Sequence, residues 1–179
     1  MEIRRIVTGH DAQGQAVFVS DGAPPRTEVF KSIPGHACAQ VWATSPGATL
    51  PHRDGDPTLE RGPLVPGPGG TSMLIVSFPP DAVMADPTRD PAVVGAELGP
   101  ALPGLIERFE PDNPGMHTTD TVDYGIVLDG ELWLELDNGA QKLVRAGDVV
   151  IQNGTRHAWR NRTDRLAKVA FVMVGRERP

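Results

Sequence analysis

Apolar and polar residues alternate most regularly in the last third of the chain. Glu131-Leu132-Trp133-Leu134-Glu135-Leu136 alternates at every step and stops at Asp137-Asn138-Gly139. Val122–Leu128 is apolar-rich and stops at Asp129-Gly130. Period-two alternation closed by Asp-Gly or Asn-Gly predicts antiparallel strands joined by tight turns, so Asp129-Gly130 reads as a two-residue hairpin. Gln141–Arg145, Val149–Ile151, His157–Asn161 and Lys168–Val174 continue the series, with turns at Ala146-Gly147-Asp148 and Asn153-Gly154. Five or six short strands spaced about 8–12 residues apart predict an all-β barrel or sandwich.

Proline divides the chain. Seventeen of the 18 prolines lie at or before Pro114 and the last is Pro179, so 115–178 is free of it. Proline removes ladder hydrogen bonds from paired strands, and its absence predicts a compact antiparallel region there. The earlier part is looser. Arg4–Thr8 and Gln15–Ser20 read as a hairpin around Asp11-Ala12-Gln13-Gly14, and Cys38–Thr44 and Ser72–Phe78 as further strands. Residues 45–71 hold six Pro and six Gly with almost no periodicity, which predicts a long loop of the kind that serves as a lid or lacks fixed structure. Residues 91–109 read as a short helix ending near Leu105-Ile106-Glu107-Arg108, with Pro100 and Pro103 limiting its start.

Composition narrows the function. The chain has 179 residues, 39% hydrophobic and 22% charged, which fits one soluble domain. A net charge of −6 and a pI near 5.3 give no general attraction to phosphate backbones or anionic membranes. The expected partner is a small molecule, with no nucleic acid and no membrane. No apolar run approaches the roughly 18 residues of a membrane span. The lone Cys38 excludes an internal disulfide and a multi-Cys zinc site, and the expected compartment is the cytoplasm. Arg156, Arg160, Arg162, Arg165 and Lys168 read as a solvated basic surface.

Of five histidines, His10, His36 and His52 neighbour turn residues and read as solvated loop side chains. His52 alone keeps a functional reading, since a lid over a pocket would deliver it. His117 and His157 stand inside more specific punctuation, Met116-His117-Thr118-Thr119-Asp120-Thr121-Val122-Asp123 and Gly154-Thr155-Arg156-His157-Ala158-Trp159-Arg160-Asn161. Together these segments resemble the two motifs of the cupin superfamily, small jelly-roll β-barrels. His117 matches the first histidine of the first motif, Thr119 stands where a second histidine is usual, Asp123 stands at the glutamate position, and Gly130 follows seven residues later. In the second motif Gly147, Gly154, His157 and Asn161 match, with Asn153 at the usual proline position. The 16 residues between Gly130 and Gly147 read as a strand pair, as the resemblance requires.

The resemblance implies an all-β, double-stranded β-helix or jelly-roll barrel. It divides the chain into an N-terminal extension over residues 1–113, contributing strands, the Pro/Gly loop and a short helix, and a barrel core over 114–179. It also implies one divalent metal ion (Fe, Mn, Ni or Zn) held by His117, Asp123 and His157, and a homodimer. Thr119 is the departure, because a hydroxyl is a poor ligand where an imidazole is usual. A straight strand from 117 to 123 would span about 20 Å at ~3.3 Å per residue, so the three groups meet only if the chain turns between them. The polar stretch Thr118-Thr119-Asp120-Thr121 tolerates such a turn. The alternative is a metal-free, hydrogen-bonded pocket in which His157 and Asp123 supply acid–base chemistry, or a barrel that binds a ligand without turnover. Thr119, Trp159 and Asn161 are the further pocket candidates, Trp159 and Asn161 by sharing strand parity with His157. The expected activity is that of a metal-dependent enzyme on a small, aromatic or polyketide-like metabolite, as a dioxygenase, decarboxylase, isomerase or lyase.

Overall fold

The computed structural model describes residues 1–52 and 54–179; Arg53, inside the 45–71 segment, lies outside the described residues. The first two strands, β1 (Arg5–His10) and β2 (Ala16–Gly22), pair only with each other, as the hairpin reading predicts. The remaining strands are β3 (Arg26–Val29), β4 (Ala37–Thr44), β5 (Thr71–Phe78), β6 (Thr121–Asp129), β7 (Glu131–Glu135), β8 (Gln141–Arg145), β9 (Val149–Asn153), β10 (Ala158–Arg160) and β11 (Ala167–Gly175). They form two antiparallel sheets, one ordered β3-β4-β5-β11-β6-β9 and one ordered β10-β7-β8. This is the jelly-roll architecture that the alternation and the resemblance predict. Strands of the extension and of the C-terminal part share the larger sheet.

Alternation decides what faces inward. Along β6, Thr121, Asp123, Gly125 and Val127 are buried, while Tyr124 and Leu128 are exposed. Along β7, Leu132 and Leu134 are buried with Trp133 between them on the outer side, its ring under the Arg162 guanidinium. Val127, Leu132, Leu134, Val144, Trp159 and Val169 close the core between the two sheets. Burying a side chain such as Leu132 or Val169, both 0% exposed, contributes about 1.5–3 kcal/mol.

The Asp129-Gly130 hairpin does not form. β6 and β7 lie in different sheets, and the dipeptide turns a corner between them. The local signal is sound, since Gly130 has φ 74° and a Cβ there would lie 2.9 Å from the Leu166 carbonyl oxygen. What the dipeptide does not specify is the pairing. A second corner packs against the first, with Val127 N–H donating to Asp148 O (3.0 Å) and Gly147 N–H to Val127 O (2.9 Å).

The extension closes the other side of the barrel. A short helix, α1 (Asp81–Met84), precedes α2 (Pro91–Ala101). α2 starts where Asp90 accepts from Ala92 N–H and Pro91 supplies a ready-made φ. Pro100 therefore lies inside its last turn and does not limit its start; the segment around Ile106–Arg108 is a separate 3₁₀ turn. A proline fits there because only its own amide bond is lost, in a turn about to end. Glu97 on α2 accepts from the Lys31 and Ser32 amides (both 2.8 Å) and fixes the helix to the β3–β4 connection.

The 45–71 segment is tied down over its second half. Leu64 and Val65 are buried in the core, Leu64 N–H donates to Pro103 O (2.8 Å), and Gly69 N–H donates to Gly175 O (3.1 Å). The chain passes so close that a Cβ on Gly175 would lie 1.9 Å from the Gly67 carbonyl oxygen.

Candidate active site

His117 and His157 face each other across an isolated antiparallel bridge, with His117 N–H donating to His157 O (2.9 Å) and His157 N–H to His117 O (3.0 Å). Residues paired in this way project to the same side of the ladder, and the ring centroids are 4.3 Å apart. Each Nδ1 lies on a carbonyl two residues earlier, Gly115 O at 3.1 Å and Thr155 O at 2.9 Å. A carbonyl only accepts, so Nδ1 carries the proton in both rings and Nε2 carries the lone pair. Burial lowers the pKa of His117, against the Gly115 bond and the Glu110 charge. Burial and then the His117 charge push His157 down to about 4. Both imidazoles are neutral at pH 7.

Asp123 arrives from the other direction, on the inner face of β6. Alternation leaves the carboxyl 5% exposed, and among the described residues its Oδ1 has no hydrogen-bond partner. Burial pushes its pKa up to about 6, while the neighbouring Thr121 and Thr119 hydroxyls pull it down. Thr121 Oγ1–H in turn donates to Thr119 Oγ1 (2.8 Å). Directly across the ladder stands Gln152, also buried, whose Nε2 has no partner among the described residues. An unused acceptor and an unused donor thus sit on adjacent strands of the same inner face.

Both imidazoles, Thr119 and Asp123 line one cavity of about 100 Å³. Its polar end is His117, Thr119, Asp123 and His157, and its walls are apolar: Leu74, Val76, Phe78, Phe171 and Met173, with Trp159 beside His157 at 6.3 Å between centroids. Leu102, Leu105 and Phe109 cover it from the extension, and the Phe109 ring lies 4.6 Å from that of His117.

The chain matches the cupin domain family over residues 105–174. It is 32% identical over 178 residues to phomopsin biosynthesis cluster protein C' of Diaporthe leptostromiformis, covering 95% of this chain and 77% of that relative. The chain belongs to the cupins. A second relative is the cupin-domain-containing oxidoreductase srdB of Neurospora crassa, 29% identical over 175 residues, covering 95% of this cupin and 72% of that protein. Among solved structures, a cupin 2 conserved barrel domain protein from Salinispora arenicola overlays with a TM-score of 0.40 and 15% identity, over 79% of this chain and 78% of that one.

In this cupin the residues read from the motifs gather unevenly. His117, Thr119, Asp123, His157 and Trp159 all line the cavity. Asn161 does not. Strand β10 ends at Arg160, and Asn161 turns away to donate to Phe78 O (2.9 Å) and Arg165 O (2.7 Å) while accepting from Thr163. Every polar atom of that side chain is consumed in holding the loop, which corrects its placement in the pocket. Asp120, next to Thr119, lies outside the cavity and pairs with Arg108 and Arg178. His52 lies by Trp42 and hydrogen-bonds Gly55 O (2.6 Å), outside the cavity.

His36 and Cys38 were not anticipated, yet both line the cavity. His36 is no solvated loop residue: it is 8% exposed, stacked on Phe30 and bonded through Nδ1 to Ser77 O (2.9 Å). No alternation in β4 signalled this, because Ala37, Cys38, Ala39 and Gln40 are all buried. Gln152 carried no signal beyond its inward parity in β9.

For a divalent ion, two observations bear on fit. The donors suit it in kind: two neutral imidazoles whose Nδ1–H is fixed on a carbonyl, leaving Nε2 free, and one buried carboxylate oxygen without a partner. Among the described residues, however, no three His, Cys, Asp or Glu side chains close on one point, so holding an ion asks for side-chain adjustment.

Proposed function

We propose that this cupin is an enzyme acting on a small, largely apolar metabolite in the barrel cavity, with one divalent ion held by His117, Asp123 and His157. The observation that carries this reading is the pair of neutral imidazoles, each with Nδ1–H locked on a carbonyl, facing the same cavity as the unpartnered Asp123 oxygen. Relatives named as biosynthesis cluster proteins and cupin-domain-containing oxidoreductases support an enzyme of metabolite chemistry. When bound, such an ion supplies Lewis acidity or oxygen activation. The chain's own residues do the rest. The Gly115 and Thr155 carbonyls fix the tautomer of both rings, Trp159 and Phe171, packed edge to face, form an aromatic wall for the ligand, and Leu102, Leu105 and Phe109 cover the cavity. The cavity is smaller than the ~150 Å³ that admits benzene in an apolar core. A larger substrate therefore needs residues 102–109 to move.

A second reading is favoured by the lack, among the described residues, of three converging donors and by the Asp123 pKa near 6. Here the chemistry is acid–base. His157 Nε2 takes a proton from the substrate, and the protonated fraction of Asp123 returns one.

Metal analysis by plasma mass spectrometry decides between them, using protein made without chelator and then offered each ion in turn. Near-stoichiometric iron, manganese, nickel or zinc in the wild type, lost in His157→Ala, is the expected result. Protein that stays empty under every ion removes the metal reading and leaves acid–base chemistry.

A further inference from the structure

A second cavity, of about 240 Å³, lies between β3, β4, β5 and the 57–70 segment and shares no lining residue with the first. Its unusual feature is Arg26. The side chain enters from β3 opposite Gln40 and is 2% exposed. Its Nη1 donates to Gln40 Oε1 (2.7 Å) and to Gly62 O (2.7 Å). Among the described residues Nε–H has no partner, and no hydrogen bond engages Nη2. No carboxylate forms an ion pair with it either, because Glu28 on the same strand is taken by Arg61. Burial, and then the Arg61 charge, lower the pKa of this guanidinium.

Buried charges are normally paired, since an uncompensated one costs several kcal/mol. The free atoms are also the informative ones. Nε and Nη2 form one edge of the planar fork, the edge that takes the two oxygens of a carboxylate or phosphate side by side. The rest of the wall leaves donors for an anion's outer oxygens: Ser72 Oγ accepts from Gln40 Nε2 (3.0 Å) and keeps its proton, and of Thr44 and Thr71, bonded to each other (2.6 Å), one hydroxyl proton remains unused. Glu60, exposed at the rim, is the one carboxylate lining the cavity.

We infer that this cavity binds a small oxyanion, a carboxylate or a phosphate group, held side-on by Nε–H and Nη2–H of Arg26. A purely structural arginine would need only the Gln40 and Gly62 bonds that Nη1 already makes.

The test is a titration of the ¹⁵N-labelled full chain with acetate and, separately, with inorganic phosphate. The readout is the Arg26 Nε–H resonance, assigned through its own side-chain carbons. A saturable shift is expected, and the anion that produces it identifies the source as carboxylate or phosphoryl. Arg26→Lys keeps the charge without the fork, and should bind about tenfold or more weakly by calorimetry. Glu60→Gln, which removes the rim carboxylate, should bind several-fold more tightly, and this arm needs no change to the buried residue. Absence of a saturable shift with both anions overturns the inference, as does equal affinity in a folded Arg26→Lys protein.

Discussion

Replacing Asp123 with asparagine, in chelator-treated protein, tests how strongly the barrel interior disfavours the charged carboxylate. Asp123 is 5% exposed, and burial raises its pKa from 3.8 to about 6. An acid whose folded pKa exceeds its unfolded one binds its proton more tightly when folded. Its contribution to stability is therefore full below about pH 3.8 and is lost as the pH rises through about 6. At ~1.4 kcal/mol per unit, the loss comes to about 3 kcal/mol by pH 7–8. Asparagine keeps the shape and cannot ionise. The stability of Asp123→Asn relative to wild type should thus rise by about 2.5 kcal/mol between about pH 4 and pH 8, or roughly 5–10 °C in Tm for a domain of this size. Folded pKa values held down by burial make His117 and His157 lose stability as the pH falls, but they do so in both proteins and largely cancel. Equilibrium urea unfolding followed by tryptophan fluorescence, in half-unit pH steps, gives the difference curve. A difference that stays flat across that range would mean that the carboxyl titrates alike folded and unfolded, and that burial does not raise its pKa.

Two further outcomes concern the frame around the site. Gly175→Ala places a Cβ 1.9 Å from the rigid Gly67 carbonyl oxygen, and should cost on the order of 3 kcal/mol in the same urea experiment, by forcing the 45–71 segment off the barrel. Asp90→Ala removes the side chain that caps α2, and should cost about 1 kcal/mol, with the earliest loss of amide exchange protection in residues 91–94.

Much of the C-terminal strand series was legible because each strand has one buried face, and burial writes itself into the sequence with period two. Asp123 and His157 were picked out instead by their match to the cupin motifs, and Trp159 by sharing the parity of His157. Alternation says which face is buried but not which strand lies alongside. Asp129-Gly130 therefore read as a hairpin although β6 and β7 part company there. Asn161 shares the parity of His157, but β10 ends one residue before it, and parity has no meaning past the end of a strand. His36 failed in the opposite sense. Its loop neighbours suggested solvent, while its burial depends on Phe30 and Ser77, contacts made between segments far apart in the chain. No local pattern encodes a wall built from residues 36, 78 and 102–109 together.

The two imidazoles are held at their spacing by a single pair of main-chain bonds, outside either sheet. On its other side His117 is bridged to Phe109, whose neighbour Glu110 donates its amide proton to Met116 O (2.8 Å). The covering segment and one of the two imidazoles are therefore linked parts, like a latch and its bolt. Any displacement large enough to lift Phe109 off the cavity pulls on the strand-like stretch that carries His117, while His157 stays anchored to β10. The covering segment and the spacing of the two rings are thus coupled through one short stretch of backbone.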